Sequence, residues 1–145
     1  MSASVPIPGR ISLVTLGVTN LDRSRAFYDA LGWDRVGNPE GVAFYRTGGA
    51  LLSLYPLESL AADVGVEPTR TGFSGMSLAI NVESPAAVDA AFETATVAGA
   101  TNLASPAAVF WGGYVAYFAD PDGHTWEVAY NPEWPLDAAG LPQLP

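Results

Sequence analysis

One order of segments occurs twice in this chain, and that repeat limits what it can fold into more than any local signal does. The strand-like run Leu13-Val14-Thr15-Leu16-Gly17-Val18 is followed by a helical pattern, then by strand patterns that close at Leu51-Leu52-Ser53-Leu54-Tyr55-Pro56. Ser77-Leu78-Ala79-Ile80-Asn81-Val82 opens the same order again, and Thr125-Trp126-Glu127-Val128-Ala129-Tyr130 closes it. A repeated unit of this size is one supersecondary element that packs against its copy to bury an apolar face. The reading is a single α+β domain over 1–145, made of two tandem βαβββ modules with mixed sheets at about 10–56 and 76–132. Residues 57–75 connect them and 133–145 form a tail.

In the first module Val14, Leu16 and Val18 alternate with Leu13, Thr15 and Gly17, the period of a strand with one strongly apolar face. A helix has to cover that face. Asn20 is placed to cap it, Ser24, Phe27, Tyr28 and Leu31 recur at helical spacing, and Gly32 stops it. Arg23, Arg25 and Asp29 then point at water. Strands are expected around 34–37, 42–46 and 50–55, with Gly48-Gly49 as a turn. The connector carries turn residues, with room for one helical turn at 57–64.

The second module is punctuated more strongly. Ser84 caps its helix, Pro85 takes the first helical position, and Gly99 ends it, with Val88, Ala91, Phe92 and Ala95 as the buried stripe. Strands near 108–111, 113–119 and 124–130 complete the module, and Asp120-Pro121-Asp122-Gly123 makes a hairpin turn. Superposing the copies puts Val18 on Val82 and Ser53 on Glu127, which leaves ten additional residues in module two. They are assigned to longer loops.

Composition narrows the function classes. A chain of 145 residues buries about two thirds of its unfolded surface and stands without staples. Cysteine is absent, which excludes thiol nucleophiles, thiolate zinc sites and disulfides, and agrees with a cytoplasmic setting. Six arginines, no lysine and a net charge of −9 repel phosphate backbones, so nucleic acid is not an expected partner. The opening Met1-Ser2-Ala3-Ser4-Val5-Pro6 lacks the charged and apolar regions of a signal peptide. No apolar run approaches the roughly 20 residues that span a bilayer, so no membrane partner is expected either. There is no Gly-rich phosphate loop and no nucleophile elbow.

Two motifs sharpen the repeat. The first is Leu16-Gly17-Val18 followed by Leu21-Asp22-Arg23-Ser24 and by Phe27-Tyr28 before Leu31-Gly32. The second is Phe118-Ala119-Asp120-Pro121-Asp122-Gly123-His124 leading to Glu127. Over about residues 10–132 the chain resembles the vicinal oxygen chelate superfamily, the group of glyoxalases, bleomycin resistance proteins and extradiol dioxygenases. The resemblance implies sheets curled into an incomplete barrel around a cavity and, in the family's enzymes, a divalent metal within it. It also implies four ligand positions, one on the first and one on the last strand of each module. Those positions here are Leu13, Ser53, Ser77 and Glu127. A catalytic metal site takes three or more N, O or S donors from the protein. Leucine offers none and a neutral serine hydroxyl is a poor one, so the expectation is this fold without its usual metal and with no cofactor.

Strand alternation places residues 13, 15, 17 and 77, 79, 81 opposite the faces that the helices cover. The expected cavity lining is Leu13, Thr15, Ser53, Tyr55, Ser77, Ala79, Glu127 and Ala129, with aromatic walls drawn from Tyr45 and Trp111 and from Phe44, Tyr114 and Tyr117, some of which are core instead. Glu127 has two readings. It is a cavity carboxylate that anchors a ligand or acts as a general base, or a former ligand now hydrogen-bonded to Thr15, Ser53 or Ser77. His124, the single histidine, reads as a turn residue and Trp126 as core, while Arg46 reads as a surface cation at a strand end, with two-pronged binding of a carboxylate or phosphate as the alternative.

Three functions stand open on this reading. The first is a small-molecule binding protein that takes an apolar or aromatic compound with Glu127 as polar anchor. The second is a lyase, isomerase or dioxygenase of the same fold, using Glu127 as a base or an atypical metal site. The third is a structural or regulatory partner whose cavity is filled by side chains. Curled open sheets expose edges, which makes a homodimer the expected assembly.

Overall fold

The computed structural model describes residues 4–145; residues 1–3, the start of the segment read above for a signal peptide, lie outside them. The chain runs β1 (Leu13–Val18), α1 (Leu21–Ala30), β2 (Asp34–Arg35), β3 (Ala43–Arg46), β4 (Leu51–Pro56), α2 (Leu57–Val64), β5 (Leu78–Asn81), α3 (Pro85–Ala98), β6 (Thr101–Ala108), β7 (Tyr114–Ala119) and β8 (Thr125–Tyr130). Two four-stranded mixed sheets result, ordered β1-β4-β3-β2 and β5-β8-β7-β6. In each, the first and last strands of the module pair in parallel and the remaining pairs are antiparallel. The sheets do not close on themselves, so β1, β2, β5 and β6 are edges.

The repeat holds at the level of register. Thr15 stands opposite Ser53 on β1 and β4, and Ala79 stands opposite Glu127 on β5 and β8. The two modules therefore place equivalent side chains on equivalent faces. Helix punctuation follows local chemistry: the Asn20 side chain accepts from Arg23 N, the Ser84 hydroxyl accepts from Ala87 N, and Gly99 takes the left-handed cap at φ 108°.

Three expectations need correction. The additional residues of module two sit in regular elements, because α3 has 14 residues against 10 in α1 and β6 has 8 against 2 in β2. The strand expected at 108–111 lies at Thr101–Ala108. Asn102, Ser105 and Pro106 are poor strand formers, yet β6 is an edge strand with register shifts against β7, the place where a sheet tolerates proline. The single helical turn expected in the connector is an eight-residue helix, α2, ended by Gly65 at φ 88°.

A common core joins the modules. Leu16, Val18, Leu52 and Leu54 of the first sheet belong to one buried cluster with Val88 of α3 and Ala116, Phe118, Trp126 and Val128 of the second sheet. Burying a side chain of this kind stabilises by about 1.5–3 kcal/mol, so the boundary between modules is held mainly by apolar packing. α1 rests against α3. Phe27 meets Phe118 at 6.4 Å between centroids, and Trp33 meets Trp126 edge-on at 5.4 Å. The outer side of α1 is less open than expected. Arg25 donates to Val42 O at 3.1 Å, and Asp29 accepts from the Tyr45 hydroxyl and from Arg35, each at 2.8 Å.

Candidate functional site

The β7–β8 hairpin positions the acid. Its turn occupies the five residues between Ala119 and Thr125, and counting outward pairs Phe118 with Trp126 and Tyr117 with Glu127. Trp126 points into the common core, so Glu127, its neighbour on the strand, faces the other way. There the Tyr117 hydroxyl donates a hydrogen bond to Glu127 Oε2. That bond, helped by partial desolvation, holds the Tyr117 phenol above its ordinary value of 10.0. The pair therefore presents a neutral phenol as donor at neutral pH.

A cavity of about 510 Å³ opens over this face. Glu127, Ala79 and Ala129 form its base, Trp111 and Trp134 its walls, and Asn81, Asn131 and Glu133 its polar fringe. Both tryptophans are positioned by local backbone chemistry. A Cβ on Gly113 would overlap the Trp111 ring, so the indole lies against a residue that has to be glycine for it to lie there. The Asn131 side chain accepts from Glu133 N at 2.9 Å and its carbonyl accepts from Trp134 N at 3.2 Å, a turn that folds the start of the tail back over β8.

The residues expected to line one cavity are divided between two surfaces. Ala79, Trp111, Glu127 and Ala129 come together. Leu13, Thr15, Ser53, Tyr55 and Ser77 are not part of that lining. Leu13, Thr15 and Ser77 are exposed, Tyr55 is half-buried and Ser53 is buried. Ser77 also lies outside β5, which begins at Leu78. One cause is α2: Leu57 and Leu60 reach Gly17, on the side of β1 opposite the core, so the helix occupies part of the surface expected to face a ligand. Tyr45 is fully buried, and its hydroxyl donates to Arg25 O and Asp29 on α1, which turns it away from Glu127. Burial and the bond to Asp29 push its pKa well above the ordinary value. The bonded partner of Glu127 is Tyr117 rather than Thr15, Ser53 or Ser77.

Sequence reasoning placed Tyr117 among the aromatic residues around the cavity and Asn81 on the cavity side of its strand, but it did not pair Tyr117 with Glu127, and it missed Gly113, Asn131, Glu133 and Trp134. The pairing was within reach, because the Asp120-Pro121-Asp122-Gly123 turn fixes the hairpin register. The tail residues carried no usable signal.

The same turn ties the modules together. Asp122 accepts from Thr19 N at 2.9 Å, from the Thr19 hydroxyl at 2.8 Å and from the Ser24 hydroxyl at 3.2 Å, with Arg23 at 3.4 Å. Burial acts to raise the Asp122 carboxyl, but these bonds and the Arg23 charge outweigh it and hold the group below its ordinary 3.8. His124 Nε2 donates to Gly17 O at 2.8 Å, and Arg70 approaches Nδ1 at 3.5 Å. The histidine is thus a cross-module strut and is not part of the lining over Glu127.

The metal implied by the resemblance does not fit this donor set. Of Leu13, Ser53, Ser77 and Glu127, one supplies a carboxylate, and its Oε2 is already engaged by Tyr117. Among the described residues, no three His, Asp or Glu side chains stand close enough to hold one ion together. No helix among them is long and apolar enough to cross a membrane.

A profile of the glyoxalase/bleomycin resistance protein/dioxygenase superfamily matches residues 10–128, the span of both modules. The chain belongs to that superfamily. Within it, the chain is similar to the structure of a glyoxalase-related enzyme from Fulvimarina pelagi, with 37% identity, a TM-score of 0.86, and coverage of 94% of this chain and 99% of that one. A superfamily member from Nocardioides, described as a glyoxalase/bleomycin resistance protein/dioxygenase, aligns at 26% identity and a TM-score of 0.70, covering 99% and 93%. A lactoylglutathione lyase from Agrobacterium tumefaciens aligns at 25% identity and a TM-score of 0.67, covering 90% and 100%. A comparison with curated proteins gave no match. The superfamily's α+β architecture of paired βαβββ modules is the one seen here.

Proposed function

We propose that this superfamily member binds a small apolar or aromatic molecule over Glu127 without a metal centre or other cofactor. One observation carries the reading: a carboxylate bonded to a neutral phenol lies at the base of a cavity walled by two indoles. Trp111 and Trp134 offer flat apolar surface, and the carboxylate oxygen not held by Tyr117 is available to accept from an N–H or O–H of the ligand. A cationic nitrogen on an aromatic body satisfies both. Binding of this kind stabilises the fold by RT ln(1 + [L]/Kd), about 2.7 kcal/mol at a hundredfold excess over Kd. A melting-temperature screen of flat aromatic amines and neutral aromatics tests it. Stabilisation is expected from donors or cations and is lost in Glu127→Gln; an equal response from the variant removes Glu127 as anchor. Stoichiometric metal in protein purified without chelator, lost on mutation of Glu127, removes the metal-free part.

A second reading is favoured by the same pair and by the enzymatic names of two similar structures. Glu127 as general base with Tyr117 as proton donor supplies what a lyase or isomerase needs to move a proton on a bound carbonyl compound. Under this reading Glu127→Gln abolishes turnover of a substrate while leaving its binding measurable.

The assembly proposed is a cytoplasmic homodimer. β1 and β5 are free edges, and Leu13 is 46% exposed on a strand face that lacks a lining role within its own chain. A second copy laid over the cavity is the route by which the exposed Leu13 and Thr15 could approach Glu127. Size-exclusion chromatography with light scattering checks this, and a monomer at micromolar concentration rejects it.

A further inference from the structure

Between the modules, on the helix-covered side of the sheets, a second cavity of about 670 Å³ opens beside β1, β4 and the edge strand β5. Trp33 and Trp126 form its floor, with Val14, Leu52, Leu78 and Ile80 around them. Glu127 is not in its lining. We propose that this cavity is a second ligand site, adjoining the one over Glu127 at Ala79 and Asn81 of the edge strand β5, and that it takes an apolar molecule carrying a single carboxylate.

Size and lining come first, since small-molecule pockets run to about 300–1,000 Å³ and are mostly apolar with few polar groups. The charge comes from Arg46 at the mouth, which forms no ion pair among the described residues. Asp34 stands opposite it on β2 yet lies outside bridging distance. The guanidinium is therefore available as a two-pronged donor to a carboxylate, and the nearby Asp34 disfavours a dianion. The outer wall is a built element. The Asp137 carboxylate gathers the tail by accepting from Ala139 N and Leu141 N at 2.9 Å each and from the Gln143 amide at 3.1 Å. That loop presses Ala139 O onto Gly48, where a Cβ would come within 2.9 Å of it.

The tryptophans make the test direct. Of the four in the chain, Trp33 and Trp126 line this cavity, whereas Trp111 and Trp134 line the other. A Trp111→Phe/Trp134→Phe protein therefore reports this site alone. Titration with sodium dodecanoate, below its micellar concentration, should give a saturable change in tryptophan emission. Arg46→Gln should weaken it by about tenfold or more, the loss expected when a charge-assisted bond is removed. Gly49→Phe places a ring at a lining position with no atom within 4 Å of the new Cβ, and should abolish the change while the melting temperature holds. An unchanged emission, or undiminished binding by Gly49→Phe, overturns the site. Equal binding of dodecanol, or an unaffected Arg46→Gln protein, overturns its preference for an anion. Glu127→Gln should leave the titration unaltered, which separates failure here from failure of the reading at Glu127.

Discussion

Tyr28 on α1 and Asp120 in the β7–β8 turn are bonded across the module boundary at 2.7 Å, and both side chains are buried. The same hydroxyl accepts from Trp126 Nε1 at 3.0 Å, while Asp120 Oδ1 accepts from the backbone N–H of Asp122 and His124. Burial and the Asp120 charge push the Tyr28 phenol far above its ordinary range, so it stays a donor. Tyr28→Phe leaves a carboxylate oxygen and an indole N–H without this partner in the core. It should cost about 1–3 kcal/mol, read as a lower urea midpoint at unchanged slope. An unchanged midpoint would show that the network contributes nothing to stability.

The Asp122 clasp predicts acid sensitivity. A carboxyl held below its ordinary 3.8 on folding binds its proton more weakly in the native state than in the unfolded chain. Its contribution is therefore fully present above that value and is lost as pH falls below it toward the native one. Asp122→Asn should lower stability at neutral pH and flatten the decline on acidification below 3.8. Equilibrium unfolding across a pH series measures both. Parallel curves for the two proteins would contradict the assignment.

Removing the acid should be visible at its partner. With Glu127→Ala the Tyr117 phenol loses the bond that raises it and should ionise closer to 10.0. Alkaline difference absorbance, compared with Tyr117→Phe to identify the band, follows the change. A titration curve identical to that of the parent protein would mean that the pair does not form in solution.

Gly113 should behave as a binding residue without touching a ligand. Its backbone φ is not in the left-handed region, so alanine brings no strain there, but the new Cβ would occupy the place of the Trp111 ring. Trp111 is 42% exposed and can swing outward. Gly113→Ala is expected to cost less than about 1 kcal/mol in stability and to weaken ligands that stack on Trp111. Trp111→Ala should reproduce the binding loss, and a Gly113→Ala protein with full affinity would remove the indole from the site.

Legibility in the sequence tracked distance along the chain. The Ser84-Pro85 start and Gly99 stop of α3 were readable because a cap is satisfied by amides two or three residues away. The hairpin turn was readable for the same reason. α2 was placed at its true bounds but read as a single turn, because Leu57–Val64 is a brief run whose apolar side matters only once β1 offers Gly17 to pack on. β6 was displaced because its pairing with β7 overrides residues that favour loops. Tyr45 was placed in the cavity because alternation says that two faces exist, not which of them a helix will cover.

By itself the sequence determined two βαβββ modules, the equivalence of their first and last strands, and the sheet face on which Glu127 stands, since periodicity and turn chemistry act between near neighbours. Only the tertiary structure decided that Tyr117 holds that acid and that Trp111 and Trp134 stand over it. It also decided that Leu13, Thr15 and Ser53 lie apart from it, and that a second cavity opens where the modules meet. Those relations depend on which faces are opposed once the common apolar core is buried, and that choice is made by contacts between residues far apart in the chain.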